Sequence, residues 1–184
     1  MVEPRARRNV ARMTPAELLK DAFGRIAEGG TGVVEGLTED QLTHRIAPGA
    51  NTIAWLVWHS ARVQDDHVAE VAGTEQVWTG QGFVERFALP FDSGATGYGQ
   101  TSEEVGRVRA SAELLAAYLT ATHEATLGFL DTIAESDLDR IVDTRWDPPV
   151  TLGVRLVSVV NDDTQHLGQA AYLRGLLGKE VRLV

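Results

Sequence analysis

The chain has 184 residues, no cysteine and a formal net charge of −9. That length suits one domain with a sizeable core, and the missing cysteines exclude disulfides, thiolate metal ligands and a cysteine nucleophile, so any thiol chemistry must use a thiol from outside. No apolar run reaches the ~18–20 residues that span a bilayer, the first residues lack the apolar stretch of a secretory signal, and the acidic balance argues against a nucleic-acid surface; the expectation is a cytoplasmic protein without membrane or nucleic-acid partners.

Residues 1–12 carry Arg5, Arg7, Arg8 and Arg12 against Glu3. They are too short and too polar to fold alone and are read as a basic, disordered N-terminal tail before one domain over residues 13–184. Arginine outnumbers lysine 15 to 2, a bias that hints at a GC-rich bacterial genome.

Thr14-Pro15-Ala16-Glu17 starts the first long helix: Thr14 caps, Pro15 suits the first helical position and Glu17 completes a capping box. Leu18, Leu19, Ala22, Phe23 and Ile26 follow as an apolar stripe. Gly29, Gly30 and Gly32 weaken its far end, so the helix stops there or frays on to about Gly36. Thr38-Glu39-Asp40-Gln41 predicts one short turn. A second long helix runs from about Thr52 to Ala72, with Gly73 as its stop. Residues 74–101 are irregular and glycine-rich, but their interleaved Trp78, Phe83, Phe87 and Phe91 predict a segment packed on the domain, with a short helix near Gly82–Phe87. Such a long loop suits the lid or rim of a site.

The third long helix covers about Ser111 to Ala134. Asp147-Pro148-Pro149 breaks the chain, and Thr151 caps a fourth long helix ending near Leu177. No strand alternation and no internal repeat is evident. Four long helices joined by loops read as an all-α four-helix bundle.

The fourth helix contains Asp162, Asp163 and His166. With Val159 at the centre of its buried stripe, His166 falls close to that centre and the two acids flank it. Buried charge is costly unless paired or bound to a metal. On the second helix, Trp55, Leu56, His59, Val63 and Asp66 share one side. A histidine on one bundle helix and an acid-x-x-x-histidine on another can build a core metal site. Two imidazoles and one carboxylate suit Zn²⁺, Ni²⁺, Fe²⁺ or Mn²⁺ and leave positions for water or substrate. The same residues also fit an ordinary core, with His166 bonded to Asp162 or Asp163 and His59 merely half-buried.

Asn51-Thr52-Ile53-Ala54-Trp55-Leu56-Val57-Trp58-His59 resembles the second-helix signature of the DinB-like superfamily. Asp162-x-x-x-His166-x-Gly168-Gln169, followed by Tyr172-Leu173-Arg174-Gly175, resembles its fourth-helix signature. The resemblance covers about Thr14 to Gly178 and is nearest to the actinobacterial branch of mycothiol-dependent maleylpyruvate isomerases and mycothiol S-transferase-like proteins. It implies a four-helix bundle with one metal ion on His59, Asp162 and His166. It also implies mycothiol as co-substrate in a transferase or isomerase reaction on a small electrophile, and it suggests a homodimer. The family's middle ligand is His or Glu; Asp162 is one methylene shorter than Glu, and Asp163 is the alternative carboxylate. Metal-assisted hydrolysis, or a ligand-binding or dimerising bundle with a vestigial site, are the competing readings.

Trp55, Gln169 and Arg174 are candidate pocket residues for the thiol or its partner. Arg174 suits a substrate carboxylate or a salt bridge near the helix C-terminus, where a cation is favoured. Asp66 lies too far along the helix from His59 to share its ion and is expected to pair with Arg62. His67 is expected at a rim or in solvent, and His44 and His123 are expected to be structural or exposed.

Overall fold

The computed structural model of the chain describes residues 13–180; the basic tail expected for residues 1–12 lies outside them. Four long helices make the bundle: α1 (Pro15–Val34), α3 (Ile53–Ala72), α7 (Ala112–Leu130) and α8 (Leu152–Leu176). Short helices α2 (Glu39–Leu42), α4 (Val77–Gly80), α5 (Phe83–Phe87) and α6 (Ser102–Val105) sit in the connections.

Helices start where local bonding favours it. Thr14, Thr38, Thr52, Thr101, Ser111 and Thr151 each accept a first-turn backbone N–H through the side-chain oxygen. Each bond satisfies a donor that has no partner inside the helix. α1 does not stop at its glycines. Gly30 is buried in the helix, and a Cβ there would run into Leu119 and Leu167, so the bare backbone is what lets α7 and α8 approach. Leu18, in the first turn, is exposed, and the fully buried stripe of α1 begins at Phe23.

α3 packs against α7 and α8, and α1 packs against the same two helices. Phe23, Leu56, Leu115, Leu119 and Leu156 lie in the core between them, each contributing about 1.5–3 kcal/mol by leaving water. The irregular 74–101 segment is packed as its aromatics predict: Trp78, Phe83 and Phe87 surround Tyr118, and Phe91 lies against Trp58.

Two expectations are corrected. α7 ends at Leu130, not Ala134, and Glu135–Asp139 form a 3-10 turn; Thr132 Oγ1 takes the Phe129 carbonyl at 2.7 Å as the chain leaves the helix. A short antiparallel hairpin, β1 (Ile141–Asp143) and β2 (Val150–Thr151), precedes α8. Strands this short, paired through an irregular register, show no alternation in sequence. No helix among the described residues is long and apolar enough to cross a membrane.

Candidate metal centre

One face of α3 carries Trp55, His59 and Arg62 at helical spacing, and all three hold the segment that follows α5. Trp55 Nε1 donates to Gln100 Oε1 at 2.7 Å, His59 Nδ1 to the Thr96 carbonyl, and Arg62 Nε to the Ala95 carbonyl at 3.1 Å. Arg62 is fully buried. Its Nη1 donates to Tyr118 Oη at 3.1 Å and lies 3.6 Å from Asp65 Oδ2. Asp65 also accepts the N–H groups of Val77 and Trp78 and the Tyr118 hydroxyl, each at 2.8 Å. The expected partner Asp66 instead accepts from Gln76 Nε2 at 2.8 Å. Arg62 and Asp65 both face the core, where an unpaired charge is costly, and so take each other.

α8 brings Asp162 and His166 to His59. Asp162 Oδ2 lies 3.9 Å from His59 Nε2 and 3.6 Å from His166 Nδ1, and one ligand atom from each residue falls within 4.8 Å of the others. The His59 bond to Thr96 places the proton on Nδ1 and leaves the Nε2 lone pair facing the cluster. His166 Nδ1 donates to the Asp162 carbonyl at 2.9 Å, which leaves its Nε2 free in the same way. Trp55 stacks on His59 with ring centroids 4.5 Å apart. Burial pushes the His59 pKa below the ordinary histidine value, against the opposing Thr96 bond, so the ring is neutral near pH 7, the form that binds metal.

The donor set fits a divalent ion. Ligand atoms at ~2.0–2.2 Å from a tetrahedral ion stand about 3.3–3.6 Å apart, so small side-chain rotations close this cluster. Asp162 Oδ2 is buried and accepts no hydrogen bond, an arrangement whose cost a cation between it and the imidazoles would offset. Asp163 lies outside the cluster. It is fully buried, neither carboxylate oxygen has a partner, and burial raises its pKa well above the aspartate value, with the neighbouring Asp162 adding to the effect.

His59 and Asp162 line a cavity of about 660 Å³ bounded by α3, α8, the segment around Thr96 and the β1–β2 hairpin. Tyr98 and Trp146 line it and are largely exposed. His67 is also in its wall, with a pKa lowered by burial and by the Arg155 charge. A second cavity, about 550 Å³ between α3 and α7, has no histidine in its lining.

The remaining candidates fall elsewhere. Gln169 is exposed on α8 outside this cavity. Arg174 donates to the carbonyls of Val33, Glu35 and Glu180; in place of a salt bridge it ties the carbonyl end of α1 to α8. His44 is exposed and His123 is half-buried on α7. Sequence reasoning missed Thr96, which orients His59, and the Asp143, Arg145, Trp146 and Arg155 group in the cavity wall. The only signal for the first was Gly97 and Gly99 in an aromatic-rich loop; the second depends on a hairpin that carries no pattern.

Fold and site together define a class: a DinB-like helical bundle with a His–Asp–His cluster between its second and fourth long helices. A crystal structure of a DinB-like protein from Bacillus cereus matches with a TM-score of 0.59 at 21% identity, over 90% of this chain and 95% of that one, a likeness of fold alone. A crystal structure of a conserved protein from Enterococcus faecalis matches with a TM-score of 0.84 at 34% identity, over 91% of this chain and 100% of that one. No curated protein sequence matches significantly. The sequence model of the Mycothiol-S-transferase family matches residues 18–178, and the chain belongs to that family.

Proposed function

We propose that the chain is a divalent-metal-dependent transferase that presents a small thiol, mycothiol, to a small electrophile; isomerisation by thiol addition to a double bond is the related chemistry. The observation that carries this reading is the His59–Asp162–His166 cluster, whose His59 and Asp162 line a cavity, in a chain matched by the family over residues 18–178. His59 Nε2, His166 Nε2 and an Asp162 carboxylate oxygen would hold Zn²⁺, Ni²⁺, Fe²⁺ or Mn²⁺. Such an ion keeps positions open for a thiol and lowers its pKa, which supplies thiolate near neutral pH.

The chain's own residues position and shield. Thr96 sets the His59 tautomer, Trp55 covers one face of the ring, and Arg62 holds the neighbouring Ala95 carbonyl. With no cysteine, no internal thiol competes for the ion or the electrophile. The transfer forms a sulfur–carbon bond, releases the leaving group with its electron pair and passes the thiol proton to solvent.

The test pairs elemental analysis with turnover. About one ion per chain, lost in His59→Ala and His166→Ala without unfolding, together with mycothiol-dependent consumption of chlorodinitrobenzene, supports the proposal. Substrate consumption by water without thiol would make the protein a hydrolase. A chain that keeps its fold and takes up none of the four ions would be a ligand-binding bundle.

A further inference from the structure

Beside the His–Asp–His cluster, the cavity wall sets two guanidinium groups on one carboxylate. Asp143, at the end of β1, is largely buried. Arg145 grips it with two prongs, Nε to Oδ1 at 2.9 Å and Nη2 to Oδ2 at 2.8 Å, and Arg155 Nη2 donates to Oδ2 at 2.8 Å from α8. The Arg145 hydrogen bonds, together with the charge of both arginines, hold the Asp143 carboxyl far below its usual range. It stays ionised and neutralises one guanidinium, leaving the other uncompensated.

Arg155 is the one whose unfilled donors are drawn out of water, since Arg145 is 77% exposed. The Arg155 side chain is only 13% exposed, one Nη2 bond goes to Asp143, and its Nε is buried without an acceptor. A guanidinium drawn out of water with donors unfilled is costly, and an anion would complete it. The facing groups do not supply one. Asp66 accepts from Gln76, Asp162 belongs to the metal cluster, and His67 is held toward its neutral form. The charged residues lining the cavity, Asp66, Asp143, Asp162, Arg145 and Arg155, sum to −1, and a divalent ion on the cluster would bring the site to +1, in a chain whose overall charge is −9. Local positive charge in a concave site raises the concentration of anions there.

Spacing sets the size of the ligand. Arg155 lies seven residues before Asp162, two turns earlier on the same face of α8 and about 10 Å along its axis. That gap suits one substituted aromatic ring with its carboxylate. Trp146 and Tyr98, 67% and 93% exposed, offer flat apolar faces beside it.

We propose that Arg155 is a specificity-determining residue: the cavity takes electrophiles that carry a carboxylate on a flat apolar body, with the carboxylate on Arg155 and the reacting carbon toward the His59–Asp162–His166 cluster. The word electrophile rests on the transferase reading; the anion subsite does not.

The test is calorimetric titration with benzoate and with benzamide, on metal-loaded and on chelator-treated protein. Wild type is expected to bind benzoate about tenfold more tightly than benzamide, the gain of a charge-assisted hydrogen-bonded pair. The preference persists after chelation, when only the protein can supply the cation, and it disappears in Arg155→Met. If Arg155→Met fails to fold by circular dichroism, Arg155→Gln, which keeps an N–H for Asp143, is expected to lose the preference too. Equal binding of acid and amide by wild type, or a preference undiminished in a folded Arg155 variant, overturns the subsite. Chlorodinitrobenzene has no carboxylate, so its thiol-dependent turnover reports the transferase reading separately. Turnover without a benzoate preference removes the subsite alone, and a benzoate preference without turnover removes the transferase reading alone.

Discussion

His59 donates its Nδ1 proton to the carbonyl oxygen of Thr96, a residue in the loop that follows α5. That bond turns Nε2 toward Asp162 and His166, so the loop selects the nitrogen available for a metal. Gly97, the next residue, is at φ 97°, and a Cβ there would stand 2.7 Å from His59 Nδ1 and 3.1 Å from the Trp58 ring. The loop can reach His59 only because this position has no side chain.

Gly97→Ala is therefore expected to displace the loop from His59 and lower metal affinity about 10–100-fold, the usual effect of losing the group that orients a ligand. Competition against a coloured chelator measures the affinity. Unchanged affinity would show that Thr96 does not set the ring.

The two neighbouring aspartates are expected to behave in opposite ways. Asp162→Asn should abolish stoichiometric metal uptake, whereas Asp163→Asn should retain it, with elemental analysis as the readout. Burial raises the Asp163 pKa above its unfolded value, so whatever stability its protonated form contributes is complete at low pH and lost as pH rises. Asp163→Asn should thus gain stability over wild type at pH 8, and the gain should shrink as pH falls toward the ordinary aspartate pKa of about 3.9. Thermal midpoints at the two ends of that range decide it.

Asp65→Ala removes the partner of fully buried Arg62 and frees the Val77 and Trp78 N–H groups. The expected loss is about 3–5 kcal/mol, the cost of stranding a buried charge. Tyr118→Phe removes one hydroxyl from the same network, at about 1–2 kcal/mol. Urea unfolding monitored by tryptophan fluorescence measures both, and a loss below about 1 kcal/mol for Asp65→Ala would mean that the network is not a clamp.

Burial lowers the pKa values of His59, His67 and His123 below 6.5. The unfolded chain therefore binds more protons than the folded one as pH drops through 6.5. The sign is fixed by linkage: stability is full above that pH and falls below it, toward the folded-state values. Melting midpoints between pH 8 and pH 5 should decrease across the lower half of the range, and metal affinity should fall with them as protons compete with the ion for His59. A flat profile would mean that these rings stay accessible in the folded chain.

Much of the fold and the core of the site were legible in the sequence because they depend on local rules. Thr14, Thr38, Thr101 and Thr151 announce helix starts since a cap bonds within three residues. His59, Asp162 and His166 were legible as residues sharing buried helix faces, since helical spacing alone sets which side a residue occupies. What faces those stripes is a matter of packing. Only the tertiary structure separated Asp162 from Asp163, since the roughly 100° between neighbours around α8 puts one in a cavity wall and the other fully inside the core. Only the tertiary structure paired Arg62 with Asp65, moved Arg174 to the end of α1 and brought Thr96 to His59. It also seated Arg145 and Arg155 on Asp143 beside the His–Asp–His cluster. These are contacts outside helical spacing, or choices between adjacent residues, that packing and desolvation decide; no local periodicity encodes them.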